Sequence, residues 1–268
     1  MSTKTGPRLA ASVSWMFAEL PFLERFSAAE SAGFDGTECH YPYSIPAPDF
    51  RRAIQNSGIP FLGLNTAVQR LGSDDTGVGA IPGLEAEAMA RFDESLDYLI
   101  GVGGRAIHVK PGSIDPSNKA AFACFVEHLR YCTERTAGHN VTLLVEPLNA
   151  IENPAYFLQT NAQAAAIIHA VAMPSVKLMF DLYHIGMLGA DIVEQYRSFR
   201  EIIGHVQFAA APGRNEPKEK GNACIPALMD ICALGYDGWI AAEYRPSGDT
   251  GDGLGWMELL RSGLLEQS

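Results

Sequence analysis

The sequence predicts an α/β protein of one domain, a (β/α)8 TIM barrel over residues 1–268. Three observations predict it. Eight short apolar runs alternate with longer amphipathic ones along the whole chain. The 268 residues suit such barrels, which take about 250. Late in the chain, apolar runs end abruptly on polar side chains, in "LLVEPLN" (143–149), "LMFDLYH" (178–184), "IIGHVQF" (202–208) and "WIAAEYRP" (239–246). In barrels of this kind the chemistry sits where the strands end.

The expected strands are "LAASVSW" (9–15), "GFDGTECH" (33–40), "IPFLGLN" (59–65), "RAIHVK" (105–110), "VTLLVEP" (141–147), "VKLMFD" (176–181), "IIGHVQF" (202–208) and "GWIAAEY" (238–244). Helical patterns lie between them. Over 20–33, Phe22, Leu23, Phe26 and Ala29 form one stripe that stops at a glycine. Residues 82–103 open on proline, carry acids in the first turns and close on glycines. Residues 115–138, 160–172, 191–200, 226–235 and 253–265 follow the same logic. The runner-up, an open doubly wound sheet, lacks a G-x-G-x-x-G turn after the first strand. No linker or low-complexity segment divides the chain. The irregular stretch 66–83 is long enough for a lid or binding loop over the barrel mouth.

Composition narrows the partners. Twenty basic residues face 31 acidic ones, a net charge of −11, which argues against a nucleic-acid partner. No apolar stretch reaches the roughly 18 residues of a membrane span, and no export signal opens the chain. Five scattered cysteines without CxxC pairing point to reduced thiols in a cytoplasm. The sequence leaves a homo-oligomer open.

Glu146, Asp181, Gln207 and Glu243 end the fifth to eighth expected strands, at spacings of 35, 26 and 36 residues. Each spacing fits one βα unit, so all four should share one side of the mouth. Three carboxylates brought together need a counter-charge. Oxygen donors from Glu, Asp and Gln suit a hard divalent ion, Mg2+ or Mn2+, with Co2+ or Zn2+ as substitutes. His184 is expected on the loop above this metal, His108 inward at the fourth strand end to touch substrate, and His205 one layer below Gln207, as core or site residue alike. Arg214, in "APGRNEP", would bring a cation to an anionic substrate group. His128, His139 and His169 fall outside the mouth.

The motifs "LLVEPLN", "FDLYH", "IGHVQFA", "PGRNEP", "EYRP" and "GLGWM" resemble the hydroxypyruvate isomerase family, within the xylose-isomerase-like barrels. The likeness extends to "SWMFAELPFLERF" and "AAESAGFDGTE" near the start. It implies that Glu146, Asp181, Gln207 and Glu243 bind metal and that Glu146 and Glu243 also shuttle protons. It further implies that His184 and Arg214 contact substrate, with the acidic Glu152 close by. Two positions depart from the family: Ala210 stands where it has aspartate, and Gly221, in "KEKGN" (218–222), where it has glutamate.

The expected activity is metal-assisted isomerisation of a small hydroxy-carbonyl acid, with hydroxypyruvate to tartronate semialdehyde as the family's reference reaction. A 2-oxo-tetronate isomerase or a ketose 3-epimerase would use the same parts. Two rivals come from other classes. One is a non-catalytic sugar-acid binding protein. The other is a three-zinc nuclease of the endonuclease IV type, whose many histidine ligands the sequence does not show at the required strand ends.

Overall fold

Eight strands form in the computed structural model, which describes residues 7–68, 76–217 and 223–266. They are β1 (Arg8–Ser12), β2 (Gly36–Glu38), β3 (Gly63–Asn65), β4 (Ala106–His108), β5 (Thr142–Val145), β6 (Val176–Asp181), β7 (Ile203–Phe208) and β8 (Trp239–Ala242). All pair in parallel, in the order β2-β1-β8-β7-β6-β5-β4-β3. The two end strands meet as well. The Thr37 N–H donates to the Pro60 carbonyl at 3.0 Å, the Leu62 N–H to Thr37 at 2.7 Å, and the Asn65 N–H to His40 at 3.0 Å. These contacts bring the sheet round into a barrel.

Around it run α1 (Arg25–Ser31), α2 (Ala47–Ser57), α3 (Glu85–Val102), α4 (Lys119–Arg135), α5 (Asn161–Val171), α6 (Leu182–Met187), α7 (Ile192–Phe199), α8 (Cys224–Ala233) and α9 (Gly255–Glu266). Side-chain caps start several of them. Asn118 accepts from the N–H groups of Ala120 and Ala121, and Asp191 from those of Val193 and Glu194. No described helix is long and apolar enough to cross a membrane.

Three differences from the sequence expectation have physical reasons. The strands are shorter than the apolar runs, because a run is buried over more residues than its ladder bonds. Val13 and Val109 lie beyond strand ends and are fully buried. Helix α2 was not expected; of its residues only Phe50 and Ser57 are buried. Phe50 anchors it, with its ring 5.0 Å from Phe26 and 5.1 Å from Phe61, and Ala47, Ala53 and Ile54 pack against the same core. Helix α6 replaces the loop expected around His184; the Asp181 side chain starts it by accepting from the Tyr183 N–H at 2.8 Å. In the stretch 66–83, residues 69–75 lie outside the described residues. The part after them pairs with the segment that follows β4, where the Ala80 N–H donates to the Pro111 carbonyl at 2.6 Å.

Candidate active site

Register turns the four polar strand ends inward. Asp181 lies opposite Gln207, and Gln207 opposite Ala241, two residues before Glu243. Alternate residues share a face, so Glu243 follows Ala241 into the barrel, and Glu146 follows Leu144. None of the four is more than 5% exposed.

Burial on this scale requires compensation for the carboxylates. Part of it comes from Arg214, whose Nη2 donates to Glu243 Oε2 at 2.5 Å and stands 3.8 Å from Asp181 Oδ2. Its loop is pinched at both ends: the Ala210 N–H donates to the Asn215 carbonyl and the Arg214 N–H to the Ala210 carbonyl, each at 2.9 Å. Gly213 and Arg214 take positive φ angles of 107° and 54° to make the turn. The Trp15 and Tyr183 rings flank the guanidinium at 4.2 and 4.8 Å and hold it over the site. His40, just beyond β2, places Nε2 2.8 Å from Glu243 Oε1.

The carboxyls therefore differ in acidity. Burial pushes Glu146 well above the usual range, and the charges of Glu243 and Asp181 add to this. Asp181 rises to about 7, through burial, against the pull of Arg214. Burial acts upward on Glu243 too, but Arg214 and the His40 hydrogen bond outweigh it and hold this carboxyl below its ordinary value.

His184 belongs to the same cluster: one ligand atom from each of Glu146, Asp181 and His184 lies within 4.8 Å of the others. Its Nδ1 accepts from the Asn149 N–H at 3.2 Å and lies 2.8 Å from Asn149 Nδ2. Burial, with Arg214 adding to it, lowers the His184 pKa to about 3, so the ring is neutral. The single ring proton then sits on Nε2, which stands 3.6 Å from Asp181 Oδ2 and 3.7 Å from Glu146 Oε1. His184 thus offers the site a donor instead of a lone pair. His108 ends β4 with Nδ1 3.4 Å from Glu146 Oε2, kept neutral by burial and Lys110 at a pKa of about 3. Glu152 sits exposed at the rim, accepting from Tyr183 Oη at 2.7 Å and from Asn149 Nδ2 at 3.0 Å. It reaches the site through the residues that hold His184 and Arg214.

Two residues of the site were not singled out from the sequence, Glu38 and His40. Both lie in "GFDGTECH", where the signal was a Glu-x-His pair at a strand's C-terminal end. His205 is not an isolated core histidine, since its Nε2 is 2.7 Å from Glu38 Oε2. With His40, His108 and His184 it makes four histidines in and around the barrel mouth, more than the sequence placed there. Ala210 closes the Arg214 loop through its backbone, and residues 218–222, including Gly221, lie outside the described residues.

A cation fits this arrangement. Glu146 Oε1, Asp181 Oδ2 and Gln207 Oε1 are buried atoms without a hydrogen-bond partner, contributed by three adjacent strand ends. All are hard oxygen donors. Both oxygens of Glu243 are engaged, by His40 and Arg214, so its joining the set requires one of those contacts to yield.

The sequence profile of the xylose isomerase-like TIM barrel family matches residues 26–260. The chain is 34% identical over 260 residues to a Xenopus laevis protein named as a hydroxypyruvate isomerase, covering 94% of each. It is 35% identical over 255 residues to the 2-oxo-tetronate isomerase of Cupriavidus necator, covering 94% of this chain and 98% of that one. A crystal structure of a Brucella melitensis protein, named AP endonuclease, family 2, superposes with a TM-score of 0.89 at 34% identity, over 94% of this chain and 98% of that one.

Proposed function

The chain belongs to the xylose isomerase-like TIM barrel family, and from that premise we propose that it isomerises a small hydroxy-carbonyl acid, with hydroxypyruvate and 2-oxo-tetronate as the leading substrates. The observation that carries this is a pair of buried glutamates, Glu146 and Glu243, beside the hard oxygen donors Asp181 Oδ2 and Gln207 Oε1 at neighbouring strand ends. Arg214 and His40 hold Glu243 in place, and Glu146 Oε1 is buried without a partner. Two carboxylates facing one small substrate are what a proton shift between neighbouring carbons needs.

Glu146, Asp181, Gln207 and Glu243 would hold a divalent cation, Mg2+ or Mn2+ before Co2+ or Zn2+. When bound, the cation would polarise the substrate carbonyl and acidify the adjacent C–H. One glutamate, with Glu243 the better placed, takes the proton from the hydroxyl-bearing carbon. The other returns a proton to the former carbonyl carbon, and the hydroxyl proton crosses to the former carbonyl oxygen. His184 donates from Nε2 to a substrate oxygen. Arg214 faces the substrate carboxylate with a planar, two-pronged donor.

The test is turnover of a panel of 2-oxo acids and ketoses with added Mn2+, followed by NMR in D2O. Deuterium entering the carbon-bound position of a 2-oxo acid supports the reading. The name of the Brucella melitensis structure makes an abasic-site DNA duplex the necessary control. Cleavage of that duplex, without exchange into any small substrate, would overturn the reading.

A further inference from the structure

Gln207 has an identity problem that its own shape cannot solve. The two ends of a primary amide are nearly the same size, but only the oxygen can bind a cation. Some neighbour must decide which end faces the site.

We propose that Glu38 is the positioning residue that turns the Gln207 oxygen toward the metal; this rests on reading Gln207 as a ligand. Gln207 Nε2 donates to Glu38 Oε1 at 2.7 Å. An ionised carboxylate only accepts hydrogen bonds, so it selects the nitrogen end. The second N–H of the same amide reaches Glu243 Oε1 at a longer 3.3 Å. With both hydrogens directed at carboxylates, Oε1 points away from them and lies buried without a partner. Glu38 is itself anchored. It ends β2 and is 7% exposed, and His205 Nε2 packs 2.7 Å from its Oε2, without the alignment of a hydrogen bond. The barrel thus sets a carboxylate beneath the amide, and the amide presents its oxygen above.

The experiment is a calorimetric titration of the full, metal-free chain with Mn2+, in wild type, Glu38→Gln, Gln207→Glu and the double variant. Glutamine at 38 offers either a donor or an acceptor, so Gln207 loses its fixed orientation. Mn2+ binding should weaken about 10- to 100-fold, as for other outer-shell partners of metal ligands. Glu38→Gln also removes a negative charge, and the second background separates the two effects. A glutamate at 207 has oxygen at both ends and needs no orienting, so there the same change should cost far less. Equal costs in both backgrounds would mean charge alone, and no cost in the Gln207 background would mean no role; either overturns the proposal. Should Glu38→Gln not fold, Glu38→Asp takes its place in the cycle: it keeps the charge and shortens the reach. A wild-type chain that binds no Mn2+ counts instead against Gln207 as a metal ligand.

Discussion

Arg214 Nη2 lies 2.5 Å from Glu243 Oε2, so the carboxylate that the proposed chemistry uses as a base is held ionised by a guanidinium stacked between two aromatic rings. The same arginine is expected to meet the substrate carboxylate. Its two duties can be separated by measurement.

Replacing Arg214 with lysine keeps a positive charge but loses the planar fork. The Michaelis constant for a carboxylate substrate should rise, and that for a neutral ketose should change little. Arg214→Ala removes the charge, so the Glu243 pKa should rise and the acid limb of the kcat/KM profile should move to higher pH. An unmoved acid limb would show that Glu243 does not depend on Arg214.

Glu243→Gln retains an oxygen but cannot accept the proton. Turnover should fall about 100-fold or more, the scale of a lost general base. Elemental analysis of the same preparation should still find metal. Near wild-type turnover would remove Glu243 from the proton transfer.

Metal binding should be visible as stability. Excess Mg2+ or Mn2+ should raise the thermal midpoint of the wild type, since a ligand at 100 times its Kd adds about 2.7 kcal/mol. Glu146→Gln and Asp181→Asn should lower both the metal content and this increment. Equal metal content in all three proteins would contradict the proposed ligand set.

Asp181 makes stability depend on pH with a definite sign. Its folded pKa of about 7 lies above the 3.8 of an ordinary aspartate. Its contribution is thus fully present below about pH 4 and is lost as the pH rises through about 7. Metal-free wild type should therefore lose stability relative to Asp181→Asn as the pH rises from about 4 to about 7. Because ligands bind cations in their deprotonated form, Mn2+ binding near pH 6 should release protons. Titration in buffers of different ionisation enthalpy would reveal this; a heat independent of buffer would contradict it.

Far from the site, Phe50 fastens α2 to Phe26 and Phe61. Phe50→Ala should cost about 3–5 kcal/mol, the range for emptying a buried phenylalanine site. The urea midpoint should fall accordingly, with turnover per folded molecule unchanged. A cost below about 1 kcal/mol would mean that α2 docks by other contacts.

The strands and their polar ends were legible in the sequence because parallel barrel strands, buried on both faces, read as unbroken apolar runs. A carboxylate closing such a run, as at Glu146 or Asp181, stands out against it. Helix α2 was not singled out from the sequence, because its apolar face, Ala47, Phe50, Ala53 and Ile54, is short and holds only one fully buried large side chain. The donor character of His184 was not legible either, because Asn149, 35 residues away, decides where its ring proton sits. Glu38 and His40 lie 169 and 203 residues before Gln207 and Glu243, the partners they hold. Alternation along a strand determines that such side chains point inward. Only closure of the barrel, which seats β2 beside β1 and across the lumen from β7, decides which of them meet.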